Sequence, residues 1–509
     1  MTYILSLDAG TTSVRAMVFD HEGQICASAQ KEIRQIYPHP GWVEHDPEEI
    51  WQTQVSVALL ALEQARIRPT DIAGVGIANQ RETIIVWDRE TGKPIYNAIV
   101  WQDRRTAKVC DQLREGGHEG AIQSLTGLII DPYFSATKIQ WILDHIPGIR
   151  SQAVDGRILC GTVETWLIWK MTGGKLHITE PSNASRTMLF NLSTGEWDPG
   201  LLKLFDIPGC MMPAVRLSSE VYGEISSVPG LSSMLLSGAA GDQQAALLGE
   251  MCLQPGSAKN TYGTGCFLLQ NIGSHPIISS QRLITTATCR IGPHQEFALE
   301  GSVFMGGAVM QWLRDGMHLV QSAEEVDALA ISVPDSGGVI LVPAFTGLGA
   351  PHWDPYARGM MIGLTRDTSA AHIARAAIEG IAFQVADLID AMQLDTDQPL
   401  QELRVDGGAS RSEPLLQFQA DLLGIPVVRP SVIETTALGA AYLAGLAVGF
   451  WPDTDSISTH WRADKTFNPM MSRGRVAEIR GRWSDALGRA KNWEPSAQLE
   501  YAHPPVKSL

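Results

Sequence analysis

Two glycine-threonine turns, one near residue 10 and one near residue 264, constrain the fold of this chain more than any other feature. In the first, the β-prone runs YILSLD and VRAMVFD flank AGTTS, and HEG makes the next turn. The chain therefore opens as strand, turn, strand, turn, strand. In the second, SAKNTYGTGCFLLQNI over 257–272 repeats the shape. A glycine loop joining two strands differs from a Walker loop, which leads from a strand into a helix, and no GxxxxGK[ST] occurs here. A third turn, in RVDGGASRSEPLLQFQADLLG over 404–424, follows a short strand, LRVD. A helix then begins near Pro414 and stops at Gly424. Two halves, each opening with a Gly/Thr hairpin, suggest a duplication facing a shared cleft. A boundary near 245–256, where a helix ends and LQPGS leads into the second hairpin, gives domains 1–250 and 251–509.

A chain of 509 residues is long enough for two such domains, and 44% hydrophobic against 18% charged residues describes a globular protein with a sizeable core. Lys and Arg total 39 against 55 Asp and Glu, a net charge of −16. That is the wrong balance for a nucleic-acid face. It does not oppose ATP, because Mg²⁺ and backbone N–H groups carry much of phosphate recognition. Seven scattered cysteines with no CxxC pair fit a reducing cytoplasm. MTYILSLDAG lacks the basic and apolar regions of a secretory signal. ALGAAYLAGLAVGFW is too short and glycine-rich to span a membrane and reads as a buried helix packed through small residues. Helical spacing is clearest in Ile373, Ala377, Ile381, Val385 and Leu388, with Thr368 or Ser369 as N-cap. Trp166–Met171 and Met310–Leu313 read as short buried helical pieces.

Five stretches carry candidate chemistry. In LDAGTTSVR, Gly10 permits close backbone approach, Thr11, Thr12 and Ser13 offer donors, and Arg15 adds charge for a phosphate. Asp8, at the strand end, is placed to hold Mg²⁺ through water. Thr264 in the second turn would touch phosphate, and the Gly407–Gly408 backbone would lie flat under the nucleotide. Each turn alone also fits an ordinary hairpin; three together can converge on one polyphosphate. In SGAAGDQQAALLG, Asp242 stands where a strand gives way to a helix, a position that suits an N-cap or a catalytic base. Nearby N–H groups would keep its carboxylate ionised.

The last stretch, GIANQRETIIVW over 76–87, sets Arg81 beside Glu82 between two apolar runs. Neighbours in a regular strand face opposite ways, so the chain kinks or loops there. A surface ion pair would contribute little. A clamp on a small polyol would divide donor and acceptor duty over vicinal hydroxyls, with hydrogen bonds to charged groups contributing roughly 1.5–3 kcal/mol each. Trp101, Tyr133 and Phe267 can wall such a pocket, although core packing serves each of them singly.

Longer segments now carry a resemblance: PGWVEHDP, NQRET, VWQDRRTA, DPYFSATKIQWILDH, NASRTMLFN, AGDQQAALLG, KNTYGTGCF, VPAFTGLGAPHWDPYARG, RVDGGAS and TALGAAYLAGLAVGFW. Almost end to end, the chain resembles the FGGY carbohydrate kinases. NQRET, AGDQQAA and NTYGTGCF are similar to the members that act on glycerol. The resemblance implies an α/β fold of two ribonuclease-H-like domains, of the actin and hexokinase superfamily, flanking an ATP cleft. It implies transfer of the ATP γ-phosphoryl group to glycerol, in line and with Mg²⁺, giving ADP and sn-glycerol 3-phosphate. By the same resemblance Arg81, Glu82, Tyr133, Asp242 and Gln243 hold glycerol, Trp101 and Phe267 form the apolar wall, and Asp242 is the base. Thr11, Thr12, Ser13, Arg15, Thr264, Gly307, Gln311 and Gly408 bind nucleotide, and Asp8 and Asp242 sit near the metal. Two positions depart from the family pattern: Ala9 follows the first Asp where many relatives have Gln, and Ser412 stands at the adenosine-contact position where an Asn is common. A homodimer or homotetramer in the cytoplasm is also implied. A kinase for another small polyol or ketose, and an actin- or chaperone-like ATPase, are the competing readings.

Overall fold

Each predicted glycine hairpin lies within a larger sheet of the computed structural model, which describes residues 2–396 and 398–494. The first sheet is built from β1 (Tyr3–Ala9), β2 (Ser13–Phe19), β3 (Ile25–Glu32), β4 (Ile72–Asn79), β5 (Ser219–Glu224) and β6 (Leu235–Gly241), in the order β5-β6-β4-β1-β2-β3. The second contains β7 (Ala258–Tyr262), β8 (Cys266–Gly273), β9 (Ile284–Ala287), β10 (Phe297–Val303), β11 (Leu403–Asp406), β12 (Val427–Pro430) and β13 (Ala463–Phe467), in the order β9-β10-β8-β7-β11-β12-β13.

The senses match strand for strand. Starting from β3 in one sheet and β10 in the other, three antiparallel strands are followed by two parallel additions and an antiparallel edge. The second sheet adds only β9 outside that pattern. This repetition is the structural counterpart of the paired hairpins in the sequence.

Strand β1 is buried on both faces, which is why it reads as an almost continuous apolar run. Leu5, Leu7 and Ala9 pack with Ile50 and Val57 of helix α1 (Pro47–Ala65). Ile4, on the opposite face, packs with the helices that follow the strands of the cleft. These are α2 (Asp242–Gly249) and, from the second half, α6 (Thr435–Ala447), whereas α3 (Ala308–Asp315), α4 (Ala370–Asp395) and α5 (Glu413–Leu423) pack in the core of the second half. The period of two puts Asp8 on the Ile4 face.

The helix predicted from ALGAAYLAGLAVGFW is α6, and it leaves its own half of the chain. It packs on β1, β4, β6 and α2 of the first sheet. Glycine permits this: a Cβ on Gly439 would lie 1.8 Å from the Ala245 carbonyl oxygen, and one on Gly76 would lie 2.0 Å from that of Ala440. The two halves therefore share a core. The long helix predicted from residue 373 onward is α4, with Ser369 as its N-cap, and the pieces at 166–171 and 310–313 are helical, the first largely buried and the second only at Met310 and Leu313.

Candidate active site

The Arg81–Glu82 pair sits in a turn. β4 ends at Asn79, and Glu82 adopts φ 59°, a left-handed conformation that is uncommon outside glycine. The turn is held from several sides. Gln80 N–H and its side-chain amide donate to the carbonyls of Ala9 and Gly10, at 2.9 and 3.0 Å. The Glu82 carbonyl accepts from Ser135 Oγ at 3.1 Å and Lys138 Nζ at 3.3 Å. With the backbone bent in this way, both charged side chains point inward, and they are 2% and 1% exposed.

The two make only a long contact with each other, 4.0 Å from Arg81 Nε to Glu82 Oε1. Their shortest ion pairs are with residues the sequence reading did not single out. Arg81 donates Nη1 and Nη2 to the two oxygens of Glu300 on β10, at 2.6 and 2.7 Å. Glu82 accepts from Arg186 Nε at 2.6 Å, and Arg186 Nη2 reaches Glu300 at 3.2 Å. Four buried charges, two of each sign, thus close a square. Both missed residues carried one signal: a lone charge in an apolar setting, in FALEGSV and NASRTMLF, needs a partner once buried.

Asp242 opens α2, with Gly241 rather than Asp242 at the N-cap. Its Oδ1 accepts from the adjacent Gln243 N–H at 2.8 Å and lies 3.2 Å from Arg81 Nε. Its side chain keeps 28% exposure, so it faces an opening while its neighbours are sealed. Burial raises the Asp242 carboxyl above its usual range, against the pull of Arg81, Lys259 and the Gln243 N–H. Desolvation thus outweighs the neighbouring N–H group in setting the direction of the shift. Behind it, the fully buried Lys259 donates to Gln243 Oε1 at 2.5 Å and to Thr261 Oγ1 at 2.7 Å.

The three aromatic residues do gather. Trp101 packs edge-on against Tyr133 and Phe267, with centroids 5.6 and 6.1 Å apart, and the Tyr133 ring faces the Arg186 guanidinium at 5.4 Å. Trp101 also donates Nε1 to Thr11 Oγ1 at 2.9 Å, tying this wall to the first glycine turn. Because Phe267 and Glu300 come from the second sheet, the pocket is built by both halves.

At the nucleotide end, Thr264 and the start of α3 are joined by backbone bonds: Gly306 N–H to the Thr264 carbonyl and Gly307 N–H to that of Gly263, both 2.8 Å. Gly307 also abuts Ala409 of the third turn, so the second and third turns lie side by side. Thr12, Thr264, Gln311 and Gly408 are exposed. Besides Thr11, three predicted contacts already have protein partners. Ser13 Oγ accepts from Gln30 at 2.9 Å, Ser412 Oγ donates to Asp327 at 2.6 Å, and Arg15 is ion-paired with Glu434. Asp8 faces Arg15 across the first hairpin. Burial raises its carboxyl to about 7, with Asp242 and Glu434 adding to the rise and Arg15 opposing it.

Two family models match most of the chain. The N-terminal domain of the FGGY family of carbohydrate kinases matches residues 3–249, and the C-terminal domain of the same family matches residues 258–448. The chain belongs to the FGGY family of carbohydrate kinases. This FGGY kinase is 60% identical to a glycerol kinase of Koribacter versatilis over 97% of its own length and 99% of the relative's. Among solved structures it is similar to Plasmodium falciparum glycerol kinase with ADP, at 36% identity and a TM-score of 0.89, over 96% and 98% of the two chains. A ligand-bound xylulose kinase from Lactobacillus acidophilus, at 23% identity and a TM-score of 0.85 over 96% and 99%, shares the fold. No helix among the described residues of this FGGY kinase is long and apolar enough to cross a membrane.

Proposed function

We propose that this chain transfers the γ-phosphoryl group of ATP to glycerol, releasing ADP and sn-glycerol 3-phosphate. The observation that carries the reading is a single partly open carboxylate, Asp242, set 3.2 Å from Arg81 Nε. Arg81 links it through Glu300 to Arg186, which faces Tyr133 of the aromatic wall, and Trp101 ties that wall to the first glycine turn. The relatives named as glycerol kinases over nearly the whole chain support the same acceptor.

In this reading the Arg81–Glu82 turn and Tyr133 engage the hydroxyls, Trp101 and Phe267 cover the CH faces, and Gln243 adds a polar contact. Asp242 orients the reacting hydroxyl and takes its proton. With a loose phosphoryl-transfer transition state the proton leaves late, so a carboxylate is a sufficient base. Thr11, Thr12, Thr264, Gly307, Gln311 and Gly408 line the nucleotide's path. Arg15 serves it after leaving Glu434, Ser13 can still donate its hydroxyl proton, and Ser412 lies at the edge of that path with its hydroxyl given to Asp327.

Asp8 and Asp242 are the residues that would hold Mg²⁺. The fit rests on Asp8: burial raises its carboxyl and the Asp242 charge adds to the rise, which a dication would relieve. Among the described residues no group of three His, Cys, Asp or Glu side chains forms a metal cage. That suits a cation that completes its shell with water and phosphate oxygens. When bound, it would neutralise charge on the transferred group. Residues 1–250 would supply the base and most of the acceptor contacts, and residues 251–509 most of the nucleotide surface. Seven unpaired cysteines favour the cytoplasm.

A coupled ADP-release assay over glycerol, erythritol, dihydroxyacetone and xylulose tests the proposal. Glycerol should give the highest kcat/KM. ATP turnover that ignores every added polyol would defeat the reading in favour of a conformational ATPase.

A further inference from the structure

Glu300 lies mid-strand in β10, between Leu299 and Gly301, and is fully buried. Nothing in an apolar strand requires a carboxylate. Burial alone would raise it, yet Arg186 and Arg81 carry it down to about 2, so it stays charged at any ordinary pH. Its two oxygens grip the Arg81 fork at 2.6 and 2.7 Å, and Oε1 also takes Arg186 Nη2 at 3.2 Å. A two-point grip on a planar guanidinium sets its plane as well as its position. With that plane set, Arg81 Nε lies 3.2 Å from Asp242 and Arg186 Nε is 2.6 Å from Glu82. Glu300 itself has no exposure, so it reaches the cleft only through the two arginines.

We propose that Glu300 is a positioning residue of the acceptor site, a carboxylate that reaches in from the second sheet to set the planes of Arg81 and Arg186 and, through them, the placement of Asp242 and Glu82. The inference rests on the reading that Arg81, Glu82 and Asp242 hold the phosphoryl acceptor. It also makes the acceptor grip depend on both halves of the chain: β10 runs on into Gly306 and Gly307, which lie against the second glycine turn.

Two variants separate positioning from bulk stability. Glu300→Gln keeps the length and removes the charge. Glu300→Asp keeps the charge and withdraws it by one methylene. Both are assayed as full-length protein with the polyol that the wild type turns over best. In each, KM for that polyol should rise about tenfold or more while KM for ATP stays within about twofold. A purely structural role would not raise KM for the polyol while sparing KM for ATP. If Glu300→Gln fails to fold, the KM split in Glu300→Asp decides.

Folded variants with unchanged polyol KM overturn the inference while leaving glycerol phosphorylation standing. Failure of both variants to fold assigns Glu300 to stability and overturns it too. A wild type with no polyol-dependent turnover defeats the acceptor reading, and this inference with it.

Discussion

The acceptor end of the cleft is made of buried side-chain charge, whereas the nucleotide end is made of exposed turns. Arg81, Glu82, Arg186 and Glu300 are all at most 2% exposed and pair across the two sheets. Thr12, Thr264 and Gly408 are open to solvent and rest on backbone geometry. The difference follows from what each end is proposed to bind. An uncharged triol offers only hydroxyl dipoles, so donors and acceptors must be dehydrated and held in place to discriminate it. A triphosphate brings its own charge, and turn amides with retained water suffice. The two ends meet at Asp8 and Asp242, where burial raises both carboxyls.

The sharpest test of this division is Asp242→Asn. It should lower kcat on the order of 10²–10⁴-fold, the usual contribution of a positioned base, and leave nucleotide affinity within about twofold. Near-normal turnover would remove Asp242 from the proton-transfer step. Next in size is Arg186→Ala, which leaves Glu82 and Glu300 short of a partner in a sealed site. Urea unfolding should show a loss of about 3–5 kcal/mol. Thr264→Ala, at the nucleotide end, should stay within about 0.5 kcal/mol. Comparable losses at both ends would erase the contrast.

A gentler probe is Gly408→Ala. An added methyl meets no atom within 4 Å, so the fold should be untouched. KM for ATP should nevertheless rise, roughly severalfold, if that surface carries nucleotide; an unchanged value takes Gly408 out of the site. The smallest effect belongs to Asp8→Asn. The Asp8 carboxyl titrates near 7 in the fold and near 3.8 when unfolded. Its protonated form therefore supports the ligand-free fold below about pH 4, and that support is lost as pH rises through 7. The variant should flatten the fall in Tm between pH 5 and 8 by ~1–2 °C in ligand-free protein. A slope identical to wild type would show that Asp8 ionises freely.

Much of this arrangement was legible in the chain itself. The hairpins at Gly10 and Gly263, the helix after Pro414 and the buried α6 all come from local signals: turn chemistry, apolar period and small-residue spacing. The bend at Arg81–Glu82 was also foreseeable, since a strand cannot bury two adjacent charges on one face. Their partners were not. Arg81 meets Glu300 across 219 positions, and Glu82 meets Arg186 across 104. Ser13 and Ser412 look equally free in sequence until Gln30 and Asp327 are packed against them. Backbone conformation answers mainly to neighbours along the chain. Ion pairing answers to which strands lie side by side and at what register, and that is settled only when the two sheets and their shared core come together.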